Sequence, residues 1–204
     1  MAIDLKKQRP DLYRPGAKHF VEVEVPSTTY LAVDGHGDPN TSPDYARALE
    51  CLYTLGYAVR AALRDRTGEA FVVGPLEGLW TSADPGAFTR RDKGSWDWTM
   101  LIPLPDQVQA ADLDSGRTRA DEKRSDLPLE DVEVRTLYEG RCLQILHVGS
   151  FDDEGPTLER LHTEVMPALG LTFNGPHHEI YLSDARRTPP ARLRTVLRQP
   201  VRPA

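Results

Sequence analysis

Two side chains near the C-terminus have the types and spacing for acid–base chemistry, Glu179 and Tyr181. They lie in His177–Asp184, His-His-Glu-Ile-Tyr-Leu-Ser-Asp, preceded by Asn174-Gly175-Pro176 and closed by Asp184, a pattern that predicts a short β-strand. Alternation puts Glu179 and Tyr181 on one face with His177 and Ser183, and His178, Ile180 and Leu182 on the other. The carboxylate and the phenol then stand about 7 Å apart along the strand. The face with Ile180 and Leu182 suits a helix-covered core. On the other face, exclusion of water would raise the pKa of Glu179 and ready it to take a proton or balance a cation. Tyr181 would donate to a developing oxyanion.

The elements that must position this pair occur twice. Phe20–Val25 alternates as a strand, Pro26-Ser27 is a break and Thr29–Asp34 is a second strand. Ser42 followed by Pro43 is a capped helix start, and Tyr45, Leu49, Leu52, Val59 and Leu63 make Pro43–Arg66 an amphipathic helix with Gly56 as its weak point. Leu76–Ser82 and Trp96–Pro103 are strands, separated by the polar loop Ala83–Gly94 that carries Phe88. Residues 107–124 are charged and weakly helical and read as a connecting helix or linker. The order then recurs: strand Val132–Tyr138, tight turn Glu139-Gly140, strand Arg141–Val148, a helix begun by Gly155-Pro156 and stopped by Gly170, strand His177–Asp184 and strand Leu193–Arg198. The expectation is one α+β domain over residues 1–204, with half-repeats at about 18–105 and 130–201. Its two pseudo-symmetric modules would carry antiparallel sheets, with helices on one face and a central ligand groove.

Superposing the halves lays Leu76–Ser82 on His177–Asp184, so that Gly78 falls on Glu179 and Trp80 on Tyr181. Trp96, Trp98 and Met100 share a face of the next strand. If that face looks into the groove, the site is an aromatic box around one acid, suited to flat or cationic organic molecules. The candidate lining is Gly78, Trp80, Trp98, Met100, Tyr138 and His147, with Glu179 and Tyr181 as the reactive groups. Strand aromatics are more often core than cage, and His147, at a strand end before a turn, also suits a structural role. His177 and His178 point to opposite faces and cannot chelate together, so no metal is expected. No nucleophile motif or phosphate loop is present, and no cofactor is expected. Gly35-His36-Gly37 lacks a third glycine, and the acidic run Phe151–Glu154 reads as a feature of the helix start.

The net charge of −6 over 204 residues opposes nonspecific nucleic-acid binding. The late arginines Arg186, Arg187, Arg192, Arg194, Arg198 and Arg202 read as solvated surface and tail. Two cysteines, a polar N-terminus and the lack of a long apolar window suit a cytoplasmic protein that spans no membrane, as a monomer or homodimer.

Pro75–Trp80, Trp96–Met100, His147–Gly149, His177–Asp184 and Leu193–Val201 together resemble the GyrI-like small-molecule-binding family, nearest its stand-alone branch similar to the cyclopropanoid hydrolases. The resemblance runs from about Leu12 to Val201. It implies two strand-helix-strand-strand modules, a central groove and a buried acid on a late strand at Glu179. It also implies either hydrolysis of the strained cyclopropane of DNA-alkylating xenobiotics, a detoxification, or binding of lipophilic cations as a sensor or sequestering protein. No helix-turn-helix extension precedes the resemblance, so a DNA-binding regulator is not expected. A role in modulating a protein partner has no motif behind it.

Overall fold

The computed structural model describes residues 2–84, 90 and 92–204. Phe88 of the expected polar loop lies outside them. The strands are β1 (Val21–Val25), β2 (Thr28–His36), β3 (Leu76–Thr81), β4 (Asp97–Leu104), β5 (Glu133–Leu137), β6 (Gly140–Val148), β7 (Leu171–Phe173), β8 (His177–Tyr181) and β9 (Arg194–Pro203). They form an antiparallel sheet in the order β1-β6-β9-β8-β3-β4-β2-β5, with β7 on β9. The two sets of strands are therefore joined into one sheet, through β3 and β8, instead of facing each other as two. The order reads the same from both ends once the first strands are exchanged.

That exchange explains the two short breaks. Val21–Val25 pairs with 140–144 and Thr28–Ala32 pairs with 133–137 in one unbroken register. Residues 21–36 and 133–148 thus act as two long strands, bent at Pro26-Ser27 and at Glu139-Gly140. Gly140 takes a φ of +63°, a conformation that a Cβ disfavours. Because only two residues join β1 to β2, the far ends of the sheet are drawn together and the sheet curls.

The outer face carries the long helices. Helix α3 (Pro43–Thr67) starts where the sequence places it, with the Ser42 hydroxyl accepting from the Tyr45 N–H, and ends at Gly68 in the left-handed region. Its buried stripe of Ala48, Cys51, Leu52, Leu55, Val59 and Leu63 packs on Leu31, Val33, Met100 and Ile102. Helix α4 (Ala110–Lys123) lies along α3, where Gly116 lets Val59 approach: a Cβ there would come within 2.6 Å of it. Arg66 forks onto Asp112 at 2.8 and 2.6 Å. Helix α5 (Gly155–Arg160) continues through a π-turn (Leu161–Val165) into α6 (Met166–Ala168) over the other half of the sheet. Among the described residues no helix is long and apolar enough to cross a membrane.

The inner face corrects two expectations. The polar lead-in contains two helical turns, α1 (Leu5–Gln8) and α2 (Pro10–Tyr13), and Leu12 and Tyr13 are packed against Ile180, Val196 and Cys142. The Ile180 face is thus covered by the N-terminal segment, and the long helices cover the face that bears Glu179. Arg198 is no tail residue: it is 2% exposed and donates to Glu139 at 3.1 Å, to Gln144 at 3.1 Å and to the Leu12 carbonyl at 3.0 Å. His178 lies 3.0 Å from both Glu77 and Glu139, and the Tyr13 hydroxyl donates to Glu77 at 3.1 Å. Two carboxyl groups and two cationic groups therefore balance inside the curl and fasten the N-terminal segment to it.

Burial works against the charge of His178, but Glu139 and Glu77 outweigh it and raise its pKa to about 9. Burial would raise Glu139, yet His178 and Arg198 hold it at about 2. The Glu139 contribution is complete above the ordinary carboxylate range and is lost as pH falls toward 2. The His178 contribution is complete below the ordinary imidazole range and is lost as pH rises through 9. The network is strongest between roughly pH 4.5 and 6.5. At pH 6, Glu139→Gln is expected to lose about 3–5 kcal/mol, because Arg198 and His178 stay buried without their partner. Its alkaline loss of stability should be smaller than in the wild type and complete at a lower pH, because His178 holds its proton less tightly without Glu139. Urea midpoints measured across pH check both, and an unchanged alkaline limb would show that Glu139 does not hold the His178 proton.

Candidate functional site

The register sets Gly78 directly opposite Glu179, and Met100 opposite Gly78 on the other side. Residues paired across antiparallel strands share a face. Glu179, Gly78 and Met100 therefore line one row of the helix-bearing face. Trp80 and Trp98 pair with each other in the row on one side, and Tyr181 and Thr195 pair in the row on the other. Gly78 matters by what it lacks. A Cβ at this position would stand 3.0 Å from the Trp80 Nε1, 3.1 Å from the Tyr181 hydroxyl and 3.3 Å from the Met100 sulfur. The space above this glycine is where those three groups converge.

A directed hydrogen-bond chain ends on the acid. The Trp80 Nε1–H donates to the Tyr181 hydroxyl at 3.0 Å, and that hydroxyl donates to Glu179 Oε2 at 2.8 Å. The single phenolic proton of Tyr181 is therefore engaged by Glu179. The aromatic surround is continuous: Tyr45 of α3 stacks on Trp80 at 6.4 Å and meets Trp98 edge-on at 5.2 Å. Trp96 meets Trp80 edge-on at 5.6 Å, and Phe151 meets Tyr181 edge-on at 5.5 Å. Trp98 stands behind Trp80 with its indole laid over Gly35, where a Cβ would come within 2.0 Å of the ring. Lys93 sits at the margin, 5.9 Å from the Trp96 ring centroid and 3.3 Å from Asp152.

Electrostatics follow from this dryness. Burial raises the pKa of Glu179 to about 7, against the opposing hydrogen bond from Tyr181. The same burial, with the Glu179 charge beside it, pushes Tyr181 well above the ordinary phenol range. His177 has Nε2 3.7 Å from Glu179 Oε1, but burial, then the neighbouring His162 and His178, lower its pKa to about 3, so it is neutral at pH 7. A largely buried carboxyl, its side chain 14% exposed, with a pKa near neutrality is placed to take up a proton under working conditions.

The sequence places Glu179, Tyr181, Gly78, Trp80, Trp98 and Met100 on one face, and the structure brings these six together. Two candidates stand elsewhere. Tyr138 is 70% exposed at the β5–β6 bend and donates to Glu24 at 3.0 Å, because the bend carries it away from the helix-bearing face toward β1. His147 is buried on the same face as Thr195 and Tyr181 but donates from Nε2 to the Ser150 carbonyl at 3.0 Å. It thereby fixes the loop that brings Phe151 over Tyr181.

Sequence reading missed Glu154 and Tyr45. Glu154 precedes α5, is 4% exposed and turns its carboxyl toward Glu179 and Thr195. Burial, and then the Glu179 charge, raise its pKa to about 10. The acidic run Phe151–Glu154 is therefore more than a helix start. A signal was present in the repeat: Ser42-Pro43 and Gly155-Pro156 begin equivalent helices, and Tyr45 and Glu154 lie beside those two starts.

Residues 18–202 match the family described as the GyrI-like small molecule binding domain. No curated protein sequence matches the chain. Among solved structures, an uncharacterized conserved protein from Listeria innocua is 35% identical with a TM-score of 0.90, over 98% of this chain and all of that one. A hydrolase from Listeria innocua is 33% identical with a TM-score of 0.88, over 99% of this chain and all of that one. A further Listeria innocua hydrolase structure is 34% identical with a TM-score of 0.84, over 98% and 100%. Match and structure together make this chain a member of the GyrI-like small-molecule-binding family.

Proposed function

We propose that the chain binds a flat, lipophilic aromatic molecule against Trp80 and Tyr181 and hydrolyses an activated cyclopropane in it, with Glu179 as general base. The observation that carries this reading is the placement of one buried carboxyl, with its pKa near 7, at the end of the Trp80–Tyr181 hydrogen-bond chain. The similarity over nearly the whole chain to two structures described as Listeria innocua hydrolases supports a hydrolytic reaction.

In the proposed step, Glu179 takes a proton from water as the water oxygen bonds to a ring carbon. The cyclopropane C–C bond breaks, and its electron pair moves into the conjugated carbonyl, which becomes a phenolate. The phenolate then takes up a proton, so the net change is addition of one water. Release of ring strain and gain of aromaticity drive the step, and it routes nothing through a metal or cofactor. Tyr181 holds the carboxylate in place; donation to the substrate oxygen would require its hydroxyl to leave Glu179. Tyr138, out at the bend, has no part in this scheme.

A second reading rests on the same acid. One negative group among Tyr45, Trp80 and Tyr181 is a setting in which a lipophilic cation is attracted both by charge and by ring quadrupoles. Mass spectrometry after incubation with a cyclopropane-bearing alkylator separates the two. A gain of one water supports hydrolysis; an unchanged mass with saturable tryptophan quenching supports a binding protein.

Two outcomes are expected of Glu179→Gln. Turnover of the alkylator should fall by roughly 10²–10⁴ with binding nearly intact, the usual worth of a general base. Equal turnover in the two proteins would remove Glu179 from the chemistry. The raised pKa of Glu179 also means that its burial costs stability once pH rises past the ordinary carboxylate range, in full above about 7. Glu179→Gln should therefore unfold at higher denaturant concentration at pH 8.5, by on the order of 2 kcal/mol, and match the wild type near pH 4.5.

A further inference from the structure

We propose that above neutral pH Glu154 and Glu179 share one proton, with the proton resident on Glu154 and donated to the Glu179 carboxylate, so that Glu154 is a positioning residue for the base. The inference rests on the reading of Glu179 as the reactive acid and adds a second group to it.

Geometry carries the argument. Glu154 is 4% exposed, and its Oε1 is buried with no hydrogen-bond partner. Its neighbours are the carboxyl of Glu179 and the hydroxyl of Thr195, itself fully buried beside Tyr181 in the β8–β9 register. Two carboxylates in contact in a dry setting do not both ionise, and the pair titrates as a unit.

The groups around the pair decide where the proton sits. On β8, Tyr181 donates its hydroxyl to Glu179, and His177, neutral, stands 3.7 Å away. From α3, Tyr45 faces Glu179 as a neutral phenol. Through the strand, His178 is engaged by Glu77 and Glu139 on the inner face. From the segment before β4, Lys93 favours a negative Glu179, and its ammonium lies 3.3 Å from Asp152. Glu154 has the hydroxyl of Thr195 beside it and, close by, Asp152, whose charge works against ionisation. Thr195 favours charge on Glu154, but Tyr181 and Lys93 favour it on Glu179, and a protonated Glu154 has one O–H to give and one carboxylate to receive it. The directions of both pKa shifts agree with this assignment.

The test uses ligand-free full-length protein with two variants and two readouts. Infrared spectra of protein carrying ¹³C-labelled glutamate should show a buried, protonated carboxyl band at pH 7.5 that is lost in Glu154→Gln. Tryptophan fluorescence against pH, with Glu179→Gln as the blank, reports Glu179 ionisation through Tyr181 and Trp80. Glu154→Gln, whose amide N–H replaces the acid O–H, should hold the Glu179 midpoint within about half a unit of the wild type. Glu154→Leu, which removes the donor, should raise it by about one unit or more. A merely structural residue would change stability without moving the midpoint and without rescue by glutamine. Absence of the band in the wild type at pH 7.5, its persistence in Glu154→Gln, or a lowered or unmoved midpoint in Glu154→Leu would overturn the proposal. Should Glu154→Leu fail to fold, the band and the Glu154→Gln midpoint decide alone. Neither readout needs turnover, so a protein without hydrolase activity can still show the shared proton, and a hydrolase can still lack it.

Discussion

Keeping an ionisable oxygen pair out of water is costly unless something compensates it, and the outer face of this sheet is built around that constraint. Glu179 lies mid-sheet on β8, on the helix-bearing face, with 14% of its side chain exposed, so water compensates it only in part. Tyr181 supplies a hydrogen bond, Trp80 orients Tyr181, and Gly78 leaves the room in which both meet. Compensation is partial by design of the neighbours: the donors are neutral groups, so the carboxyl stays ionisable near neutral pH instead of locked in one state. A guanidinium in place of Tyr181 would leave a carboxylate too weakly basic to take a proton from water.

The same strand shows the opposite solution on its other face. His178, one residue from Glu179, is held between Glu77 and Glu139, and Arg198 completes a set of two carboxyl and two cationic groups. There the charges are matched, and the result is structural: the network fastens Leu12 and Tyr13 to the inside of the curled sheet. One strand thus separates a charge-matched ionic cluster from one that carries acids without a cationic partner in contact among the described residues. That difference, more than burial or the presence of acids, is what singles out the outer cluster as the candidate site.

Alternation and capping were enough to read most elements from the chain. Ser42-Pro43, the apolar stripe after it and the alternating stretches around Ile180 and Val23 have local causes, and the elements formed where those causes lie. The rest depended on partners that no local pattern encodes. Alternation separated Glu179 from Ile180 but did not say which face the helices cover, because both faces are buried, one by α3 and one by the N-terminal segment. The four-residue turns α1 and α2 are too short for a period to show. A two-residue break between strands reads as a tight turn, whereas the exchanged pairing makes Pro26-Ser27 and Glu139-Gly140 bends in longer strands. Arg198 belongs in sequence to a run of surface arginines, and only its tertiary partners make it a core residue. Glu154 escaped for the same reason: an acid before a helix is the ordinary pattern for a favourable helix start.

The near-symmetry of the sheet sharpens the case for an asymmetric site. Gly78 and Glu179 occupy equivalent places and face each other across β3 and β8. A chain with full two-fold identity would set a carboxylate opposite a carboxylate there, with Cα atoms about 5 Å apart on a dry face, and the repulsion would have to be met by protonating one of them. Here the second acid is supplied from another element, Glu154 ahead of α5, while the equivalent position on the sheet is a glycine that makes room for Tyr181 and Trp80. The arrangement keeps two carboxyl groups at the centre but gives them unlike surroundings, one beside a phenol and one beside a threonine. Unlike surroundings are what allow two chemically identical groups to hold different protonation states, one as acid and one as base.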